Sequence, residues 1–213
     1  MKKLFAVSLL AIAASSLVSA AGDAAAGKVK AVACGACHGA DGNSAAPTFP
    51  KLAGQGEKYL IKQMNDIKSG ARSVPTMAGQ LDAMSEQDIA DIAAYFSAQP
   101  KTLNQANPDL AKIGAKLYRG GISSKGIAAC TGCHSPTGVG NAPAGYPALG
   151  GQHADYTIAQ LKAFRDAADS DVNGDGKAGR RNDGDEGRIM RNIAARLTDR
   201  EIEALAAYIS GLH

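Results

Sequence analysis

The chain has no tryptophan, only 4 phenylalanines and 6 tyrosines, and only 4 cysteines among its 213 residues. Aromatic side chains make up 5% of a composition that is 45% hydrophobic. That is thin in large rings for the small cores such a chain could build, so other bulk must fill them. Four cysteines are too few for a dense disulfide framework. Basic residues exceed acidic ones by only 23 to 20 and form no clustered basic surface, so nothing supports nucleic-acid binding. A single long apolar run occurs, from Leu4 to about Leu17, behind Met1-Lys2-Lys3 and ahead of Val18-Ser19-Ala20. It is too short for a membrane span and reads as a secretory signal peptide over 1–20, cut after Ala20. Removing those 20 residues leaves 193 and takes the formal charge from +3 to +1.

All four cysteines fall in two copies of one pentapeptide, Cys34-Gly35-Ala36-Cys37-His38 and Cys130-Thr131-Gly132-Cys133-His134. In a C-x-x-C-H run the two thiols add across haem vinyl groups and the adjacent histidine gives the iron its proximal nitrogen. C-x-x-C alone also serves redox dithiols and zinc. A zinc reading would combine Cys34, Cys37, Cys130 and Cys133 in one four-sulfur site and leave both histidines idle at matching positions. Two covalent haems with His38 and His134 as proximal ligands use every one of these residues. They would also supply the bulk the composition lacks, and their propionates would make the loaded protein acidic despite a sequence pI of 8.6. Export agrees with this chemistry, because covalent haem attachment belongs outside the bacterial inner membrane.

The duplication extends well beyond the motifs. Pro47-Thr48-Phe49-Pro50-Lys51-Leu52-Ala53-Gly54-Gln55, followed by Tyr59 and Gln63, matches Pro143 through Gln152, followed by Tyr156 and Gln160. Ser85 through Ser97 matches Thr198 through Ser210, and both read as helices with an N-cap and an acidic first turn. Further helices are predicted near 24–34, 56–69, 109–119 and 153–168. Two prolines and a loss of apolar periodicity place a linker at 100–108, between domains at 21–99 and 109–213. Its shortness implies that the domains stay in contact.

Repetition also selects the sixth iron ligands. Met64 aligns with Leu161 and Met84 with Leu197, the pattern of core positions. Met77 and Met190 align with each other, each 8 residues before the cap of the last helix, so they are the predicted axial thioethers. Met84 is the substitute in the first half. The Pro47 and Pro143 carbonyls, or those of neighbours, are candidates to accept the histidine Nδ1–H. His153 and His213 have no repeat counterpart and read as surface residues.

The interval from motif to methionine is 43 residues in the first half and 60 in the second, and most of the extra 17 lie in 169–186. There Asp171, Asn173 and Asp175 with Gly176 reproduce the first half of a calcium loop. The glutamate such a loop needs at its twelfth position is replaced by Asn182, so a solvated polar loop is the favoured reading.

With both haem motifs, Phe49 through Gln55, Tyr146 through Gln152, Ile193-Ala194-Ala195-Arg196-Leu197 and the closing Tyr208-Ile209-Ser210-Gly211-Leu212, the mature chain resembles the dihaem cytochrome c4 family. The resemblance implies an all-α fold of two tandem class I cytochrome c domains about a pseudo-two-fold axis, each wrapped around one covalent haem, with propionates close across the interface. It implies a periplasmic electron carrier, loosely associated with the inner membrane, between a quinol-oxidising cytochrome complex and a terminal oxidase. It assigns His38 and Met77 to one iron and His134 and Met190 to the other. Two alternatives stay open at this point: the haem subunit of a flavocytochrome-type dehydrogenase, and a dihaem peroxidase. The second conflicts with the absence of any histidine left over near either motif for acid–base work.

Overall fold

A computed structural model describes residues 21–173, 179–183 and 188–213, which fold into two similar helical halves. The predicted signal peptide lies outside the described residues. Among those described there are no strands beyond two isolated bridges, and no helix is long and apolar enough to cross a membrane.

Each half is organised by one pair of terminal helices. In the first, α1 (Ala24–Lys30) starts at Asp23, whose carboxylate accepts from the Ala25 and Ala26 N–H groups, and packs on α4 (Glu86–Ser97). In the second, α5 (Pro108–Gly120) starts at Asn107, with Pro108 in its first turn, and packs on α9 (Asp199–Ser210). Ser85 and Thr198 both close capping boxes, with Asp88 and Glu201 at the third helical position returning the bond.

A glycine sits at each crossing. A Cβ on Gly27 would lie 1.9 Å from the Asp91 carbonyl oxygen, and one on Gly114 would lie 2.0 Å from that of Ala204. Both distances are far inside van der Waals contact, so the helices approach this closely only because both positions lack a side chain. The α1–α4 pair is also tied by the buried Asp91 carboxylate. It accepts from the Asp23 N–H, Lys30 Nζ and the Gln87 amide, and these bonds hold its pKa down to about 2. Gly114→Ala is expected to destabilise the loaded protein by ~1–3 kcal/mol, because the overpacking outweighs a gain of ~1 kcal/mol in helix propensity. Chemical denaturation followed by circular dichroism measures it, and a stabilised variant would contradict the close crossing.

The elements in between complete each half: α2 (Gly35–His38) and α3 (Glu57–Lys68) in the first, α6 (Thr131–His134), α7 (Ala154–Asn173) and α8 (Ile189–Ala194) in the second. Two of these depart from the sequence expectation. α7 runs on to Asn173, carrying Asp171 and Asn173 into a helix instead of a loop, and α8 is too short for periodicity to reveal.

The halves meet along a seam built from the repeat itself. Gln55 accepts from the Ala148 N–H at 2.7 Å and donates to the Ala148 carbonyl at 2.9 Å. Its mate Gln152 accepts from the Lys51 N–H at 2.9 Å and donates to the Lys51 carbonyl at 3.0 Å. Lys51 and Ala148 are themselves repeat mates, so the two brackets are related by the pseudo-two-fold axis. His153 joins the same seam. It is 9% exposed, with Nε2 donating to the Ser44 carbonyl at 2.9 Å, and so is a buried interface residue and not the surface residue its lack of a repeat mate suggested. His213 is exposed. The segment before α5 is clamped on both sides: Thr102 and Asn104 accept from Lys51 Nζ, and Asn104 donates to the Gly151 carbonyl.

Candidate haem sites

A cavity of about 1580 Å³ runs through both halves, well above the roughly 300–1,000 Å³ of an ordinary single-ligand pocket. It is lined by Cys34, Cys37, His38 and Met77 from the first half and by Cys130, Cys133, His134 and Met190 from the second. All eight residues singled out in the sequence therefore face it.

The motif residues form one-turn helices whose first cysteine is the N-cap, and this places His38 and His134 at the end of the turn, pointing inward. The two histidines are 8% and 7% exposed. His38 Nδ1 bonds the Pro50 carbonyl and His134 Nδ1 the Pro147 carbonyl, both at 2.9 Å. With the proton fixed on Nδ1, each ring turns Nε2 to the cavity as a free lone pair. Burial lowers both histidine pKa values and favours the neutral ring a metal ligand must be. The acceptors are thus Pro50 and Pro147, the near neighbours of the two prolines first considered. Pro143 instead receives Lys58 Nζ. Phe49 packs on His38 and its mate Tyr146 on His134, with ring centroids 6.2 and 6.4 Å apart.

Burial raises the thiol pKa of Cys34 and takes that of Cys130 to about 11, which favours the protonated thiol over the thiolate at both. Among the described residues, no three His, Cys, Asp or Glu side chains converge to hold a metal ion. The four cysteines therefore do not form the single tetrahedral zinc site considered above.

Met77 ends a short 3-10 turn, Pro75–Met77, while Met190 lies in the first turn of α8. Met64 and Met84 also line the cavity, but both pack into the apolar cluster of Leu60, Ile92 and Phe96. Met77 stands outside that cluster. Met190 packs beside the second cluster, around Leu161, Leu197 and Leu205.

Between the two motif regions the cavity wall is cationic. Arg72 donates to Gln63, Tyr156 and Gln160, and Arg180 donates to Gln160, Tyr59, Gln63 and Asn182. Arg180 also stacks on Phe164, 4.6 Å from the ring centroid. Among the described residues, the groups that accept from these two guanidiniums are tyrosines, glutamines and an asparagine, so no carboxylate is hydrogen-bonded to either. The repeat marks the Tyr and Gln mates but gives them no role, and the composition of 169–186 points to a solvated loop around Arg180. Instead Arg180 and Asn182 turn inward across the seam. Asp171 pairs with Arg181, Arg188 and Arg191, so its carboxylate is engaged by three guanidiniums in the place where the calcium reading would put a metal ion. Asp175 lies outside the described residues.

Comparison with known proteins decides the family. The cytochrome c family model matches residues 24–99 and 104–213. Cytochrome c4 of Pseudomonas aeruginosa is 54% identical over the whole of both chains. The crystal structure of reduced recombinant cytochrome c4 from Pseudomonas stutzeri superposes with a TM-score of 0.83 at 55% identity, covering 91% of this chain and all of that one. The chain belongs to the dihaem cytochrome c4 family.

A thiosulfate dehydrogenase electron acceptor from Stutzerimonas stutzeri is a more distant relative, 36% identical over 85% of this chain and 80% of its own. As a cytochrome c4, the chain is all-α with two cytochrome c domains, and it is an electron carrier, not an enzyme. Membership implies covalent haem c, and the cavity fits that group on three independent counts. Its volume suits more than one large planar ligand, its lining away from the two arginines is largely apolar, and two guanidiniums to which no carboxylate is hydrogen-bonded among the described residues suit the carboxylates that haem c carries.

Proposed function

We propose that this cytochrome c4 is a periplasmic carrier of the respiratory chain, taking electrons from a quinol-oxidising cytochrome complex and delivering them to a terminal oxidase. The observation that supports this most is the matched pair of fully furnished sites, each with two thiols, a buried neutral histidine and a methionine on one continuous cavity. Cys34 and Cys37 would hold one haem c and Cys130 and Cys133 the other, with His38 and Met77, and His134 and Met190, as the axial pairs. Bound there, haem c supplies a one-electron iron couple.

The protein's own contribution is positional and electrostatic. Pro50 and Pro147 fix the imidazole planes and leave Nε2 as the lone-pair donor. The thioethers of Met77 and Met190 would favour the reduced iron and occupy the position a substrate would otherwise take. Arg72 and Arg180 offset carboxylates in a region water reaches poorly. Export over 1–20 and the domain limits at 21–99 and 109–213 belong to the same reading, and the loose membrane association is carried over from the family.

A second reading, favoured by the thiosulfate dehydrogenase electron acceptor among the relatives, makes the electron source a dehydrogenase. Respiratory membranes from the source bacterium separate the two. Under the main reading, quinol reduces both haems through the membranes, and the reduced protein is reoxidised at a rate that stops when the terminal oxidase is inhibited. Failure of quinol to reduce it, with prompt reduction by a purified dehydrogenase, would give the second reading its place.

A further inference from the structure

The brackets along the seam end on two particular peptide groups. The carbonyl of the Pro50–Lys51 peptide accepts from His38 Nδ1, and the N–H of that same peptide donates to Gln152 of the opposite half. The Pro147–Ala148 peptide does the same, with its carbonyl on His134 and its N–H on Gln55. Each histidine is therefore joined through a single amide plane to a glutamine of the other domain. The chain runs from imidazole N–H to peptide C=O, and from that peptide's N–H to the amide oxygen.

Both glutamines are buried, at 6% and 9% exposure, and both are locked. Besides the two bonds each makes to the facing residue, Gln55 Oε1 accepts from the Gly56 N–H and Gln152 Oε1 from the His153 N–H, both at 3.0 Å. Neither is needed to satisfy its own half's histidine, and a simple adhesive role would not require that both land on the peptides that orient the histidines. A peptide whose N–H is well bonded has a more electron-rich carbonyl, because hydrogen bonds in a chain polarise one another. A stronger acceptor on Nδ1–H makes the imidazole a better donor, and a better donor favours the oxidised metal.

We propose that Gln55 and Gln152 are crossed positioning residues, each setting through one peptide group the donor strength of the axial histidine in the opposite domain. The proposal rests on His38 and His134 being those ligands. Each half then owns the ligand of its iron, and the other half holds part of the control over its potential.

Gln152→Leu and Gln55→Leu in the dihaem protein test this, with the potential of each haem followed separately by its methyl resonances in a redox titration. Gln152→Leu is expected to raise the potential of the haem on His38 by about a threefold change in its reduced-to-oxidised ratio, ~28 mV at 59 mV per tenfold for one electron. The haem on His134 should move much less. Gln55→Leu should give the mirror result. Equal shifts at both haems, a shift confined to the variant's own half, or none at all would overturn the crossed control and leave the glutamines as adhesive. If a leucine variant fails to load haem, Gln152→Asn and Gln55→Asn, which draw the amide back by one methylene, should move the same haems in the same direction. The ligand reading is checked apart from this, on the unsubstituted protein, by the strongly shifted Nδ1–H resonance of an iron-bound imidazole. Its absence would overturn that reading and the proposal with it, whereas its presence with uncrossed shifts overturns the proposal alone.

Discussion

Replacing Cys130 and Cys133 together by serine is expected to halve the covalently bound haem and to unfold the C-terminal half. Serine hydroxyls do not form the thioethers, so His134 and Met190 would have to retain a haem without covalent help. The larger effect is on folding. The core of that half is a ring of side chains, Ile127, Leu161, Leu197, Leu205 and Ile209 among them, that borders the cavity instead of filling it. Cavities cost ~24 cal/mol per Å³, so even a quarter share of the cavity, left without its group, costs on the order of 9 kcal/mol. The whole stability of a domain is only about 5–15 kcal/mol. Haem per protein by the pyridine haemochrome assay, with far-UV circular dichroism, measures both parts. A full haem complement, or half a complement with unchanged helicity and melting temperature, would contradict the assignment.

Met77→Ala is expected to open one iron and only one. Carbon monoxide, which the native protein should bind poorly, would then bind about half of the reduced haem, and the potential of that haem would fall because the thioether no longer favours the reduced metal. Met84→Leu, by contrast, should change neither, since Met84 packs with Leu60, Ile92 and Phe96 as part of the core. The comparison matters because Met64, Met77 and Met84 all line the cavity of the first half. Carbon monoxide binding in the Met84 variant and not in the Met77 variant would transfer the axial role to Met84.

Much of this molecule is legible because its sequence says things twice. The haem motifs, the capping boxes at Ser85 and Thr198 and the pairing of Met77 with Met190 all rest on local patterns that recur, and a recurrent pattern is hard to produce by accident. What stayed hidden depends on the packing of one half against the other. Nothing local marks Gln55 and Gln152 as reaching for the peptides at Lys51 and Ala148, because the bonds span 93 and 101 residues.

Two features of the asymmetric stretches were hidden for a different reason. His153 has no mate because only one half supplies a ring to the seam, where Ser44 receives it. Arg180 lies in a stretch so rich in Gly, Asp and Asn that composition points to solvent, yet its guanidinium faces Tyr59 and Gln63 of the other half. A polar insertion and a half-buried cationic wall look alike in sequence until something neutral is seen to hold the cation. The signal that could have found it was the missing counterpart: Arg72 of the first half needed a partner of like function in the second.

Closure of both irons by a histidine and a methionine is what would make the protein a carrier at both sites. The near-infrared sulfur-to-iron charge-transfer band of the oxidised protein, scaled to total haem, tests it most directly. Intensity equal to two methionine-ligated haems per chain is the predicted result. Intensity equal to one or none would mean that at least one iron has a different or open sixth position, and the carrier assignment of that domain would fail.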